Sequence, residues 1–153
     1  MVTQLKYARD SIVTKEMQYV AKQENVDAEW LMQQISNGTI IIPANIHHKK
    51  LHPIGIGKGL KTKINANIGA SKIRASIGEE LKKLEYCIKY GADTAMDLST
   101  GGNLNVIRQS IIDTSPIPIG TVPTYQVVEE ADGRIEDIKA EDWLDVVELQ
   151  AKQ

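Results

Sequence analysis

The apolar positions of the chain fall first into helical stripes and then into short strand-length runs. Met17, Val20 and Ala21 share one helical face behind Thr14, which reads as an N-cap. Asp27 reads as a second N-cap, and Gly38 follows the last turn near Ile35. Thr39–Pro43 predicts a short buried strand stopped by its proline, and residues 43–60 predict a loop. Thr62–Asn67 then alternates polar and apolar residues, the period of a strand. Ser76 and Glu79 have capping-box spacing ahead of Ile77, Leu81, Leu84 and Ile88, with Gly91 closing that helix. Thr94–Leu98 predicts another strand, and Ser99–Gly102 its exit loop. Val106, Ile107 and Ile111 mark a helix that ends before Pro116. Ile117–Val122 predicts a third strand interrupted by Pro118 and Gly120, and Tyr125–Glu130 a helical turn. Asp132-Gly133 is a turn signal. Ala140, Trp143, Leu144, Val147 and Ala151 form the apolar stripe of a last amphipathic helix.

Repeated strand–helix units imply parallel strands joined by right-handed crossovers. The pattern is α/β and fits either a doubly wound sheet or part of a (β/α)8 barrel. A complete barrel takes about 200 residues or more, and the chain has 153. The pattern also stops after a helix, where another strand is expected, so the sequence reads as truncated. Residues 1–60 are expected to form an N-terminal helical segment with a short strand and loop. Residues 61–153 are expected to form the first βα units.

Composition narrows the function classes. Eighteen basic side chains against twenty acidic ones leave a net charge of -2, without the basic excess that draws a domain to nucleic acid or an anionic membrane. A single cysteine, Cys87, excludes an internal disulfide or a cysteine-only metal site within the chain. No apolar run approaches the roughly 20 residues of a membrane span, and the first ten residues have no signal-peptide core. A reducing, cytoplasmic compartment is the expectation. Phenylalanine is absent, so the core must come from Ile, Leu, Val and Ala.

In both parallel architectures ligands bind at the C-terminal ends of the strands. That rule selects Asn65, Asn67 and Gly69, then Met96, Asp97, Ser99 and Thr100, then Thr121 and Tyr125. Such a rim suits a small polar ring compound with a sugar or phosphate. Its bland alternative is loop asparagines bonding local backbone and a methionine in the core. Gly55-x-Gly57-x-Gly59 lacks the spacing and context of a phosphate loop and reads as a flexible connection. His47, His48 and His52 cluster, but Pro53 opposes the helix that would align two of them on a metal, so they read as solvated. Cys87 reads as a small hydrophobe beside a helical seam. Ser99–Gly102 reads equally as an anion-binding loop or as a cap and turn.

Longer blocks carry a resemblance. Ile41-Ile42-Pro43-Ala44-Asn45 followed by Lys63–Gly69, then Gly91–Gly101, then Ser115–Pro123, resembles the phosphomethylpyrimidine synthase (ThiC) family in order and spacing, from about Thr3 to the last residue. The resemblance implies a radical S-adenosylmethionine enzyme on a (β/α)8 TIM barrel preceded by short N-terminal helices. It implies conversion of 5-aminoimidazole ribotide to 4-amino-5-hydroxymethyl-2-methylpyrimidine phosphate, with release of formate and carbon monoxide, in thiamine biosynthesis. A [4Fe-4S] cluster, S-adenosylmethionine and zinc are the implied cofactors, and a homodimer the implied assembly. Matched residue by residue, Asn67, Met96 and Tyr125 are the implied substrate contacts, all three on the rim selected above.

The C-x2-C-x4-C cluster motif, the zinc-binding histidines and the S-R-G phosphate segment of that family have no counterpart here. His47, His48 and His52 do not align with its metal ligands, nor Cys87 with its cluster ligands. The chain matches roughly the first third of a short-form member, and catalysis by these residues alone is not expected. The alternatives are a non-catalytic ribotide-binding module or partner subunit, and an unrelated flavodoxin-like domain.

Overall fold

The computed structural model describes residues 2–153, which divide into two compact units. The first comprises the residues up to Ala44 together with His52–Lys63. It contains helices α1 (Gln4–Arg9), α2 (Lys15–Glu24) and α3 (Ala28–Ser36) and an antiparallel pair, β1 (Ile40–Ile41) and β2 (Ile56–Gly57). Both predicted caps form. Thr14 Oγ1 accepts from the Met17 N–H at 3.2 Å, and Asp27 Oδ1 accepts from the Trp30 N–H at 2.8 Å. Met17, Val20, Leu31, Ile35 and Ile40 make one buried cluster.

Two elements of this unit depart from the sequence pattern. Helix α1 has one fully buried residue, Ala8, and six residues in all, too few to show a helical period. Strand β2 lies in the stretch expected to be loop. Its Gly57 sits at φ +154°, where a Cβ would fall 2.2 Å from the Thr39 carbonyl oxygen. The glycine therefore allows two backbones to approach closely, and the glycine-rich run is a packed element instead of a flexible connection.

Glu24 closes the unit. Its Oε1 pairs with Lys63 Nζ at 2.8 Å, both side chains largely buried, and its Oε2 accepts from the Lys61 N–H at 2.9 Å. Burial pushes the Glu24 carboxyl up. The hydrogen bonds from Lys63 and Lys61 and their positive charges outweigh that, and the carboxyl ends below its ordinary value.

The second unit comprises Asn45–Leu51 and Ile64–Gln153. Strands β3 (Asn65–Ile68), β4 (Thr94–Asp97) and β5 (Ile119–Thr121) form a parallel sheet in the order β3-β4-β5. Its helices are α4 (Ile77–Lys89), α5 (Leu104–Thr114), α6 (Pro123–Glu130) and α7 (Ala140–Lys152). The architecture is thus mixed α/β, with no closed barrel among the described residues. No helix in them is long and apolar enough to cross a membrane.

Ala66, Ala95 and Ile119 are register partners, as are Ile68, Asp97 and Thr121. Ile68, Ala95 and Ile119 pack with Leu84 of α4 and with Ile107 and Ile111 of α5. Cys87 joins the margin of this cluster, as expected of a small hydrophobe. Arg108 of α5 is buried and donates to Asn105 Oδ1, Gln126 Oε1 and Gln153 Oε1 at 2.6–2.8 Å. Burial pulls its pKa down, against the charges of Asp97 and Glu130. This polar knot ties α5 to α6 and α7 and leaves no apolar signature in sequence.

Three helix details are corrected. The expected capping box does not form: Ser76 makes no side-chain cap, and the Glu79 carboxylate is held by Arg74 Nε and Nη2 at 2.6–3.0 Å. Ile77 and Val106, placed by period on apolar faces, are exposed. All five residues of the stripe expected to bury α7 are also exposed, with Leu144 at 67%, while Val146 is the residue it buries. Contact with α6 and the Arg108 knot sets the rotation of α7, and its apolar stripe does not.

Lowering pH through the depressed carboxyl of Glu24 removes the stability that this pair contributes, which is fully present above the ordinary carboxylate range. Urea melts between about pH 7 and about pH 3 are expected to show a smaller acid loss for Glu24→Gln than for the unaltered chain. Equal slopes would remove the pair from the stability of this unit. In the second unit, Leu84→Ala is expected to cost about 2–5 kcal/mol in the same measurement.

Candidate functional site

Period-two geometry decides what lies on the sheet face opposite α4 and α5. With Ile68, Ala95 and Ile119 turned toward those helices, the alternate residues turn the other way. These are Asn65 paired with Thr94, and the row Asn67–Met96–Gly120 across all three strands. The two asparagines are exposed, and Thr94 and Met96 are half-buried. The face is polar, apart from one thioether.

A hydrogen-bond relay orders it. Thr94 Oγ1 donates to Asn65 Oδ1 at 2.7 Å, and Asn65 Nδ2 donates to Asn67 Oδ1 at 3.1 Å. The carbonyl of Asn67 is therefore taken, and none of the hydrogen bonds among the described residues uses its NH2 group. Asn67 thus presents two donors to whatever lies above the sheet. Met96 reaches sideways over Gly120, whose added Cβ would fall 2.8 Å from both Cε and Sδ of the methionine. A small residue on β5 makes room for the thioether, which forms an apolar wall beside the Asn67 amide.

Tyr125 enters from the same end of the sheet. Helix α6 begins at Pro123, two residues after β5 ends, and proline at its first position suits a helix start. The Tyr125 ring is 42% exposed. The structure therefore sets Asn67 and Met96 side by side and places Tyr125 on the helix leaving the neighbouring strand.

The remaining candidates have other partners. Asp97 Oδ1 accepts from the N–H and hydroxyl of Ser99 at 3.0 and 2.5 Å, so both are committed to the β4 exit loop. His48 is buried, not solvated, because its Nε2 lies 2.7 Å from the Ser115 carbonyl oxygen. The His52 ring lies beside Tyr19 in the first unit, and His47 is exposed. A cavity of about 330 Å³ opens between β5, α5 and α7, lined by His48, Thr121 and Gln150 among others. It lies on the helix side of the sheet, and none of Asn67, Met96 and Tyr125 lines it.

A model of the Radical SAM ThiC family matches residues 3–153. The chain belongs to that family. Membership makes the full-length ThiC-type protein a radical S-adenosylmethionine enzyme of thiamine biosynthesis, with an iron–sulfur cluster expected in full-length members. These 153 residues do not fit such a cluster themselves. Iron–sulfur clusters are held by several cysteine thiolates, and this ThiC-family sequence has only Cys87, set against a hydrophobic core. Among the described residues no group of three or more His, Cys, Asp or Glu side chains is arranged to hold a metal ion.

Two features of this candidate site escape a linear reading. The Asn65–Thr94 relay joins residues 29 positions apart, and only strand register reveals it. Glu80 is buried beneath the loop that follows Asn67. Its one sequence signal is an acidic residue three after Ile77 and four before Leu84, where a helical seam calls for an apolar side chain.

Gly120→Ala is expected to displace the Met96 thioether with little loss of stability, less than about 1.5 kcal/mol, because the obstructing atoms end a flexible side chain. The Met96 methyl resonance in a ¹H–¹³C spectrum reads this directly. An unmoved resonance would mean that the methionine does not lie across Gly120.

Proposed function

We propose that this chain supplies the first βα units of a (β/α)8 barrel in a phosphomethylpyrimidine synthase, and that the open face of its parallel sheet contacts 5-aminoimidazole ribotide. The observation that carries this reading is the row Asn67–Met96–Gly120 on a polar face, with α4 and α5 both on the other. Barrels place helices outside and ligands at the C-terminal strand ends. Doubly wound sheets reverse strand order and carry helices on both faces, whereas β3, β4 and β5 run in simple succession. That succession favours the barrel over a flavodoxin-like domain.

The roles follow from the side chains. Asn67 has its NH2 group available and donates to a ring nitrogen or ribose-phosphate oxygen of the ribotide. Met96 packs against the imidazole. Tyr125 donates or accepts through its phenol at the edge of the site. In the full-length protein the reaction is the rearrangement of the ribotide to 4-amino-5-hydroxymethyl-2-methylpyrimidine phosphate, with formate and carbon monoxide released. Radical chemistry is supplied by the cofactors, for which these residues carry no ligand set. The contribution of the chain is therefore to bind and orient, and alone it is inactive. A cytoplasmic homodimer is the assembly that goes with this reading.

Titration of the ¹⁵N- and ¹³C-methyl-labelled chain with 5-aminoimidazole ribotide is expected to shift the Asn67 side-chain amide, the Met96 methyl and the Tyr125 ring resonances together. Asn67→Ala is expected to weaken binding about tenfold, the scale of one lost hydrogen bond to ligand. An unperturbed spectrum at millimolar ribotide, or equal affinity in the variant, would overturn the assignment.

A further inference from the structure

The backbone immediately after Asn67 is gripped from two sides. On one side lies Glu80 of α4, only 1% exposed. Its Oε2 accepts from the Gly69 N–H at 2.9 Å, and its Oε1 accepts from Lys83 Nζ at 2.6 Å. The same ammonium donates to the Gly69 carbonyl at 2.9 Å. One ion pair thus holds both polar groups of a single peptide residue. On the other side lies the β4 exit loop. The Leu98 N–H donates to the Ile68 carbonyl at 2.8 Å, and the Thr100 N–H to the Ala70 carbonyl at 2.8 Å. Ser99 Oγ accepts from the Ala70 N–H at 3.0 Å and is itself anchored on Asp97.

Packing alone does not call for a carboxylate at this place. A buried carboxylate loses its hydration and is tolerated only when paired and hydrogen-bonded, and an apolar residue at position 80 would extend the buried stripe of Leu84 and Ile88 by one turn. Gly69 also has no latitude to move toward β4. At φ +152° its Cβ would fall 2.7 Å from the Leu98 carbonyl carbon and 2.8 Å from the Ser99 nitrogen. The chain is pressed against one neighbour and pulled by the other, and this fixes the exit of β3 two residues beyond Asn67.

We propose that Glu80, paired with Lys83, is a positioning residue for Asn67: it fixes the Ile68–Ala70 backbone so that the Asn67 NH2 group stands toward the ligand beside Met96. This rests on the reading that Asn67 contacts the ribotide. Glu80 itself touches no ligand and acts only through the backbone of β3.

The test compares Glu80→Ala, Glu80→Gln and Leu84→Ala in the full chain, each alone and with Asn67→Ala, by ribotide titration and by the Asn67 side-chain amide resonances without ligand. Glu80→Ala is expected to shift those resonances and to weaken ribotide binding about tenfold. Glu80→Gln keeps a carbonyl oxygen for the Gly69 N–H and is expected to restore most of that loss. Leu84→Ala, a core residue of the same helix, is expected to lower the melting temperature without changing affinity measured well below it. In the Asn67→Ala background, Glu80→Ala is expected to have no further effect, since the residue through which it acts is gone.

Equal losses in both backgrounds would overturn the proposal, as would an affinity loss in Leu84→Ala matching that in Glu80→Ala. If Glu80→Ala does not fold, Glu80→Met, which fills the same space without an acceptor, and Lys83→Met decide through the same resonances, and an unmoved Asn67 amide in both overturns the proposal. Failure of the unaltered chain to bind ribotide overturns the ligand reading instead, and the Asn67 resonances then decide the positioning role by themselves.

Discussion

The second unit depends on one geometric constraint, the two-residue period of a parallel strand. Once α4 and α5 cover Ile68, Ala95 and Ile119, the residues between them have no choice of face. Asn67, Met96 and Gly120 must then line up on the uncovered side. A slip of one residue would bury two asparagines under helices and expose the isoleucines. The hydrophobic cost of that slip locks the register, and the locked register assembles the candidate site. Burial on one face and chemistry on the other are the same fact seen from two sides.

The buried charged side chains of the second unit each have a partner. Glu80 has Gly69 and Lys83, Asp97 has Ser99, and Arg108 has three amide oxygens. Glu80 and Arg108 join elements distant in sequence, while Asp97 braces the loop that leaves its own strand. They add little net stability, because desolvation offsets much of the attraction, but they permit few alternative arrangements. Asn67 differs from them. Its oxygen is engaged, its NH2 is not, and it is exposed. An ordered donor left without an internal partner has the character of a ligand contact.

Much of the fold was legible in the linear pattern. Thr14 and Asp27 cap the helices that their positions suggest, and the strands near residues 65, 95 and 120 lie where alternation or short apolar runs put them. What went unread shares a physical cause. Helix α1 and strand β2 are shorter than the window needed to show a period. The Ser76–Glu79 box failed because Arg74 offers Glu79 a charged donor, a stronger partner than a backbone amide. The outward-facing stripe of α7 shows that an apolar face need not be the one that packs within these residues.

For the candidate site the division is similar. Sequence by itself determined the α/β class and the blocks that mark the ThiC family, and it nominated Asn67, Met96 and Tyr125 as candidates, because residue type, period and motif order are properties of the chain read along its length. Only the tertiary structure decided that Asn67 and Met96 are register partners, that Gly120 makes room for the thioether, and that Thr94 and Asn65 turn the Asn67 amide outward. It also decided that the Glu80 carboxylate reaches the Gly69 N–H. Apart from the Asn65–Asn67 bond, those relations join residues 11 to 29 positions apart. They arise from which face is buried and which backbones touch, and neither exists until the helices have docked on the sheet.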